Sequence, residues 1–214
     1  MKKIILSTFL TTSLLLSACS LGDSTVEQLS VTLSNVFEEE KGYRDAQQQL
    51  NELEKAEQEM FNSVMSLTQK QKEEVALKTD ELKESLAERL VLLNLENESI
   101  ENAQASLSSF DAIVEETKQE EIKTSLLELR ALMEERYQAH KVVSAEYQEL
   151  TDLQSKLYDM LINEDTQQVE LQEQVAKVNA QNDIVQSAIN DFNEKTQKVN
   201  EKKTAVYESL EDKN

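Results

Sequence analysis

The chain has 214 residues, 42 of them acidic against 22 basic, with a formal charge of −20 and a pI of about 4.4. That balance argues against nucleic acid, whose phosphates are bound by clustered Lys and Arg, and against loose electrostatic adhesion to anionic lipids or anionic wall polymers. One Cys and one His provide neither an internal disulfide nor the ligand spacing of a Cys/His metal site.

Residues 1–18 read as a secretory leader. Lys2 and Lys3 form a positive start, Ile4 to Leu16 an apolar stretch broken only by Ser and Thr, and small residues follow. Leu16-Ser17-Ala18-Cys19 resembles the bacterial lipobox, which implies a diacylglyceryl group on the Cys19 thiol and cleavage just before it. Two acyl chains are what stable anchoring needs. Loss of Lys2 and Lys3 with the leader moves the formal charge from −20 to −22. No second long apolar run follows Leu21, so the remainder is expected to be tethered rather than membrane-spanning.

Leu21 to Asp23 is a short tether, and residues 24–214 are expected to form one helical domain. The chain has no Pro, no Trp and two Gly, and is rich in Glu, Gln, Lys, Leu and Ala, a composition of long helices or coiled coil. Ser24-Thr25-Val26-Glu27 reads as a capping box that opens a first helix. Its apolar residues, from Val26 and Leu29 to Val64 and Leu67, keep near 3/4 spacing with one slip between Leu50 and Leu53. Gly42 lies inside it, and either weakens the helix or admits a neighbouring backbone. Ser66-Leu67-Thr68-Gln69 looks like a second capping box after a turn near Leu67. The second helix carries Val75, Leu82, Leu86, Leu93, Ile100, Ala103, Leu107, Phe110 and Val114, with a weak point at Ser106 to Asp111, where short polar side chains compete for backbone hydrogen bonds.

A turn around Thr117 leads to a third helix whose seam alternates four and three residues from Ile122 to Leu161, with Arg136, His140 and Gln154 among its members. Asn163 to Thr166 supplies stop and start chemistry for a fourth helix. Its seam runs Leu171, Val175, Val178, Asn182, Val185, Ile189, Phe192, Thr196, Val199, Lys203, Val206 and Leu210. The expected fold is therefore all-α: an elongated antiparallel up-and-down bundle of four long helices with coiled-coil-like heptad packing, each about 65 Å long at 1.5 Å per residue. If one turn is misread, three helices remain.

No catalytic constellation stands out. His140 has Tyr137 three residues before it, so the Glu-x-x-His pair of di-iron bundles is missing, as are the partners of a triad or an HExxH zinc site. Beside Arg136 it reads as a polar spacer in the seam. Acidic pairs carry no information in a chain that is one-fifth Asp and Glu. The unusual pattern is in the fourth helix, where Asn193, Thr196, Asn200, Lys203 and Tyr207 share one face at spacings of 3, 4, 3 and 4. Upstream, Asn179, Asn182, Gln186 and Asn190 continue an uncharged stripe. Asn is not a preferred helix-interior residue. The stripe either fixes register through interhelical hydrogen bonds or forms a ledge of amides, hydroxyl, ammonium and aromatic suited to a glycan or a peptide.

The same residues carry a resemblance. Phe192-Asn193, Thr196, Asn200, Lys203 and Tyr207 match the F-N-x-x-T-x-x-Y-N-x-x-K-x-x-F-Y pattern of the YkyA-like cell-wall-binding lipoproteins of Gram-positive bacteria, with Val199 and Val206 where the pattern has aromatics. "LEKAEQEMFNSVMSLT", "MEERYQAH" and the lipobox are similar to that family as well, so the likeness spans nearly the whole mature chain. It implies an all-helical lipoprotein with no enzymatic activity, no cofactor beyond the Cys19 lipid and no small-molecule substrate. The implied location is the outer face of the cytoplasmic membrane, and the implied partner is a wall component. The alternative is a helical scaffold or regulator that binds another envelope protein.

Overall fold

The computed structural model describes residues 23–67 and 71–211. Among them every element is helical: α1 (Asp23–Glu39), α2 (Lys41–Ser66), α3 (Lys72–Ser106), α4 (Ser109–Glu116), α5 (Glu120–Ile162) and α6 (Gln168–Glu211). They make the four arms of an elongated bundle, α1–α2, α3–α4, α5 and α6. The leader, Cys19, most of the tether, and Thr68 and Gln69 of the second capping box lie outside the described residues. The first helix is already under way at Asp23, one residue ahead of the expected cap at Ser24.

The core shows the arms to be antiparallel. At one end Leu29 and Val36 of α1 pack with Ile100 to Val114 of α3–α4, Ile122 to Tyr137 of α5, and Val206 and Leu210 of α6. At the other, Val64 of α2 meets Leu82 and Leu86 of α3, Leu157 and Tyr158 of α5, and the start of α6 through Leu171 and Val175. Full burial of each such Leu or Val contributes about 1.5–3 kcal/mol. Turns fall where the sequence places them. Leu67 is extended (ψ 154°), Thr117 is extended (ψ 118°) and Asn163 is extended (ψ 114°). Asn163 also turns the chain by accepting the Asp165 N–H on its Oδ1 at 3.0 Å.

Two arms are broken. Between α3 and α4 the hydroxyls of Ser106, Ser108 and Ser109 donate to the carbonyls of Asn102, Ala105 and Ser106, the side-chain competition expected of this stretch. The break at Glu40 has a different cause. Tyr43 N–H, which would bond Glu39 C=O in an unbroken helix, donates instead to Ser99 Oγ at 3.0 Å. The Ser99 hydroxyl then donates to Glu39 C=O at 2.5 Å. A side chain of α3 is thus spliced into the ladder of its neighbour, a recognised origin of kinks. Gly42 permits it, since a Cβ there would stand 3.1 Å from Ser99 Cβ. Of the two roles the sequence leaves open for Gly42, close approach is the one realised, and the local break accompanies it.

One seam position needs correction. Asn182 is exposed, and its neighbour Gln181 is buried with Gln174 instead. Their amides donate across to α5, Gln174 to Leu153 C=O at 2.8 Å and Gln181 to Glu146 C=O at 3.0 Å. A buried amide is tolerated here because its N–H groups reach free carbonyl lone pairs on the facing helix.

Candidate functional site

The polar stripe of α6 lies along the seam between α6 and α1–α2. α6 packs closely on α5 through its whole length, whereas its backbone stays apart from α1 and α2. That seam is closed by long side chains. Phe192 meets the Tyr43 ring edge-on at 5.9 Å, and Val206 and Leu210 reach Leu29 and Val36. Tyr207 shares a side-chain hydrogen bond with Ser30 and packs on the same core, and burial raises its phenol above the usual range.

The five residues singled out from the sequence are therefore on one edge but not in one state. Thr196 is half-buried and committed: it accepts Arg136 Nε–H at 2.9 Å and donates to Phe192 C=O at 2.9 Å. Tyr207 is held by Ser30. Asn193 is exposed, and Asn200 and Lys203 are half-buried. The Lys203 ammonium faces no carboxylate among the described residues, and burial lowers its pKa. The flanking Lys195 and Lys202 pair with Glu135 and Glu128 of α5. Upstream, Asn179, Asn182 and Asn190 are exposed and Gln186 is half-buried.

The interior holds polar clusters of another kind. Arg89 and Glu57, 2% and 3% exposed, pair at 2.9 Å. Glu57 also accepts Ser85 Oγ at 3.1 Å and Tyr158 Oη at 2.7 Å, while Arg89 Nε donates to Tyr147 Oη and Tyr147 donates to Glu54. Burial first, then the adjacent carboxylates, push the phenols of Tyr147 and Tyr158 well above the ordinary range. One layer along, Arg136 donates to Glu40 at 2.5 and 3.2 Å, Tyr137 Oη donates to the same carboxylate at 3.0 Å, and the guanidinium sits 4.8 Å from the Phe192 ring. Between them Glu96 accepts Gln47 Nε2 at 2.7 Å and stands 3.6 Å from His140 Nε2. Burial raises the Glu96 carboxyl, and the nearby His140 and the hydrogen bond from Gln47 oppose the shift. The His140 ring is enclosed edge-on by Tyr43 and Phe192.

Apart from Glu54, whose side chain is 39% exposed, these clusters are largely buried, and their acids are occupied by arginines, phenols and amides. Among the described residues no three His, Cys, Asp or Glu side chains gather as metal ligands, and no helix is long and apolar enough to cross a membrane. Along the α1–α6 seam, by contrast, Asn193, Asn200 and Lys203 have no side-chain partner among the described residues. The interior members Thr79, Arg89, Glu96 and Glu57 are absent from the seams read from sequence. Their signal is the gaps those seams leave, since positions 57, 79, 89 and 96 complete the 4/3 spacing.

Comparison with known proteins agrees with this architecture. The model of the YkyA family, described as "Putative cell-wall binding lipoprotein", matches residues 24–209. An uncharacterized lipoprotein, YkyA of Bacillus subtilis (strain 168), is 28% identical over 201 residues, covering 94% of this chain and 90% of the relative. A conserved Staphylococcus aureus protein of unknown function, solved by crystallography, superposes with a TM-score of 0.77 at 13% identity, over 89% of this chain and 97% of the other. That likeness speaks for the fold. The chain belongs to the YkyA family.

Proposed function

From that membership we propose that the protein is a non-enzymatic lipoprotein of the Gram-positive envelope, anchored through a diacylglyceryl group on Cys19 at the outer face of the cytoplasmic membrane. Residues 1–18 are removed, residues 19–23 tether, and residues 24–214 form a single bundle that binds a wall component at the α1–α6 seam. Asn193, Thr196, Asn200, Lys203 and Tyr207 are its contact residues. The observation that supports this reading is the contrast within one molecule. The interior carboxylates and arginines are paired, while Asn193, Asn200 and Lys203 present donors with no partner among the described residues. Amides and an ammonium beside a tyrosine suit the hydroxyls, acetamides and peptide groups of a wall glycan.

Co-sedimentation of soluble residues 24–214 with purified cell-wall sacculi tests it, with and without their attached anionic polymers. Saturable binding is expected, reduced by alanine at Asn193, Asn200 and Tyr207. Absence of binding to both preparations would sink it. A second reading, a scaffold that packs on another envelope protein, is favoured by Val91 and Leu95. They stand one turn apart on the outer side of α3 at 60% and 48% exposure. Crosslinking in cells that traps a protein at those two positions would establish it, and clean lanes would dismiss it.

A further inference from the structure

We propose that Lys203 is the seat for a single carboxylate of the ligand, so that the α1–α6 seam recognises a peptide-bearing wall glycan by the acid group of its peptide. This rests on the wall-binding reading of the same seam and names the chemistry it selects.

The argument starts from register. Phe192, Thr196, Val199, Lys203, Val206 and Leu210 succeed one another at the spacing of the packed face, and every member but Lys203 is apolar or hydrogen-bonded inside the bundle. A cation at such a position has given up part of its water and gains from a partner. The chain has 42 acidic residues and uses them freely elsewhere: Glu135 takes Lys195, Glu128 takes Lys202 and Glu40 takes Arg136. Lys203 receives none among the described residues, and its lowered pKa registers desolvation with no compensating charge. A ligand carboxylate would supply the missing partner in a charge-assisted hydrogen bond.

The surroundings choose among anions. A formal charge of −20 repels a polyanion along the whole bundle, whereas one carboxylate set among neutral groups meets only the local field. Asn200 and Asn193 continue from Lys203 at helical spacing with amides to offer, the companions wanted for sugar hydroxyls and peptide bonds. Tyr207, fixed by Ser30, walls the other side.

The test uses the mature chain with Cys19→Ser and three sacculus preparations: stripped of anionic phosphate polymers, stripped and with peptide carboxylates converted to amides, and with polymers retained. Wild type is expected to bind the stripped wall and to lose about tenfold or more on amidation, the scale of a hydrogen bond to a charged group. Lys203→Met should bind the untreated and amidated walls alike, at the wild-type level for amidated wall, while melting no lower than wild type. Lys203→Arg should still tell the two apart. Equal binding of wild type to both stripped preparations overturns the carboxylate seat and leaves wall binding standing. Binding only where polymers are retained, lost in Lys203→Met, assigns the ammonium to phosphate and overturns it too. No binding to any preparation removes both this inference and the reading beneath it.

Discussion

Arg89 and Lys203 occupy comparable places, each on the register that elsewhere carries Leu or Val, yet the molecule treats them differently. Arg89 is enclosed by Glu57, Tyr147 and Gln154, with Glu54 at 3.7 Å. Lys203 is half-buried at an edge where the helix backbones stand apart and has no counter-charge among the described residues. A buried charge whose partners all come from the same chain is there to specify packing. Lys203, left without a partner among the described residues, is where the proposed ligand would supply one.

The contrast is sharpest for Arg89→Met. It strands the Glu57 carboxylate in a dry interior and should cost about 3–5 kcal/mol in urea unfolding, as breaking one side of a buried pair does. Adding Glu57→Leu should restore much of that loss. A marginal effect of the single change would mean that the pair is wetter than its 2% and 3% exposure implies. Next in size is Ser99→Ala, which leaves Tyr43 N–H and Glu39 C=O without the hydroxyl that bridges them. A loss of about 1–3 kcal/mol is expected, with hydrogen exchange rising first around residues 39–43. Unchanged exchange there would show that the ladder closes on itself once the serine is gone.

A pH experiment probes the middle layer. Burial holds the Glu96 carboxyl above its ordinary value, so the folded state binds that proton more tightly than the unfolded chain. Its contribution is fully present below the unfolded value of about 4.5 and is lost as pH rises through the folded one. Glu96→Gln lacks this dependence. The variant should gain most in melting temperature over wild type near neutrality, and the gain should shrink toward pH 4.5. His140 and Gln47 lower this carboxyl while Glu54 raises it with burial, and a pH-independent difference would mean that the first two cancel the others. The smallest expected stability effect is at the edge. Asn193→Ala and Asn200→Ala should each stay within about 0.5 kcal/mol of wild type, while wall binding falls. Unfolding instead would return the stripe to a packing role.

Much of the fold is legible because heptad spacing dictates which residues meet. The α5 seam was readable down to Arg136 and His140, and the turns at Leu67, Thr117 and Asn163 follow from local chemistry. What hydropathy alone misses is a polar residue that keeps the register. The slip between Leu50 and Leu53 disappears once Ala46 and Glu57 are counted, giving 46, 50, 53, 57, 60 and 64. Asn182 misled for the opposite reason. Both 181 and 182 fit a 3/4 spacing between Val178 and Val185. The helix turns position 181 toward α5, where the Gln181 amide reaches Glu146 C=O, while position 182 points about 100° away to solvent. The kink at Glu40 depends on a serine 60 residues away, which no local pattern contains.

The up-and-down course has a consequence for reach. Tyr207 is level with Ser30, and Phe192 is level with Tyr43, so the contact edge lies about 10–30 Å along the axis from Asp23, in the lower half of a bundle about 65 Å long. For a chain anchored at Cys19, that edge is near the foot of a mast, and the turns at Leu67 and Asn163 are at its top. Wall material a few nanometres from the bilayer is what such a foot can grip, leaving the upper half as a spacer that stands clear of it.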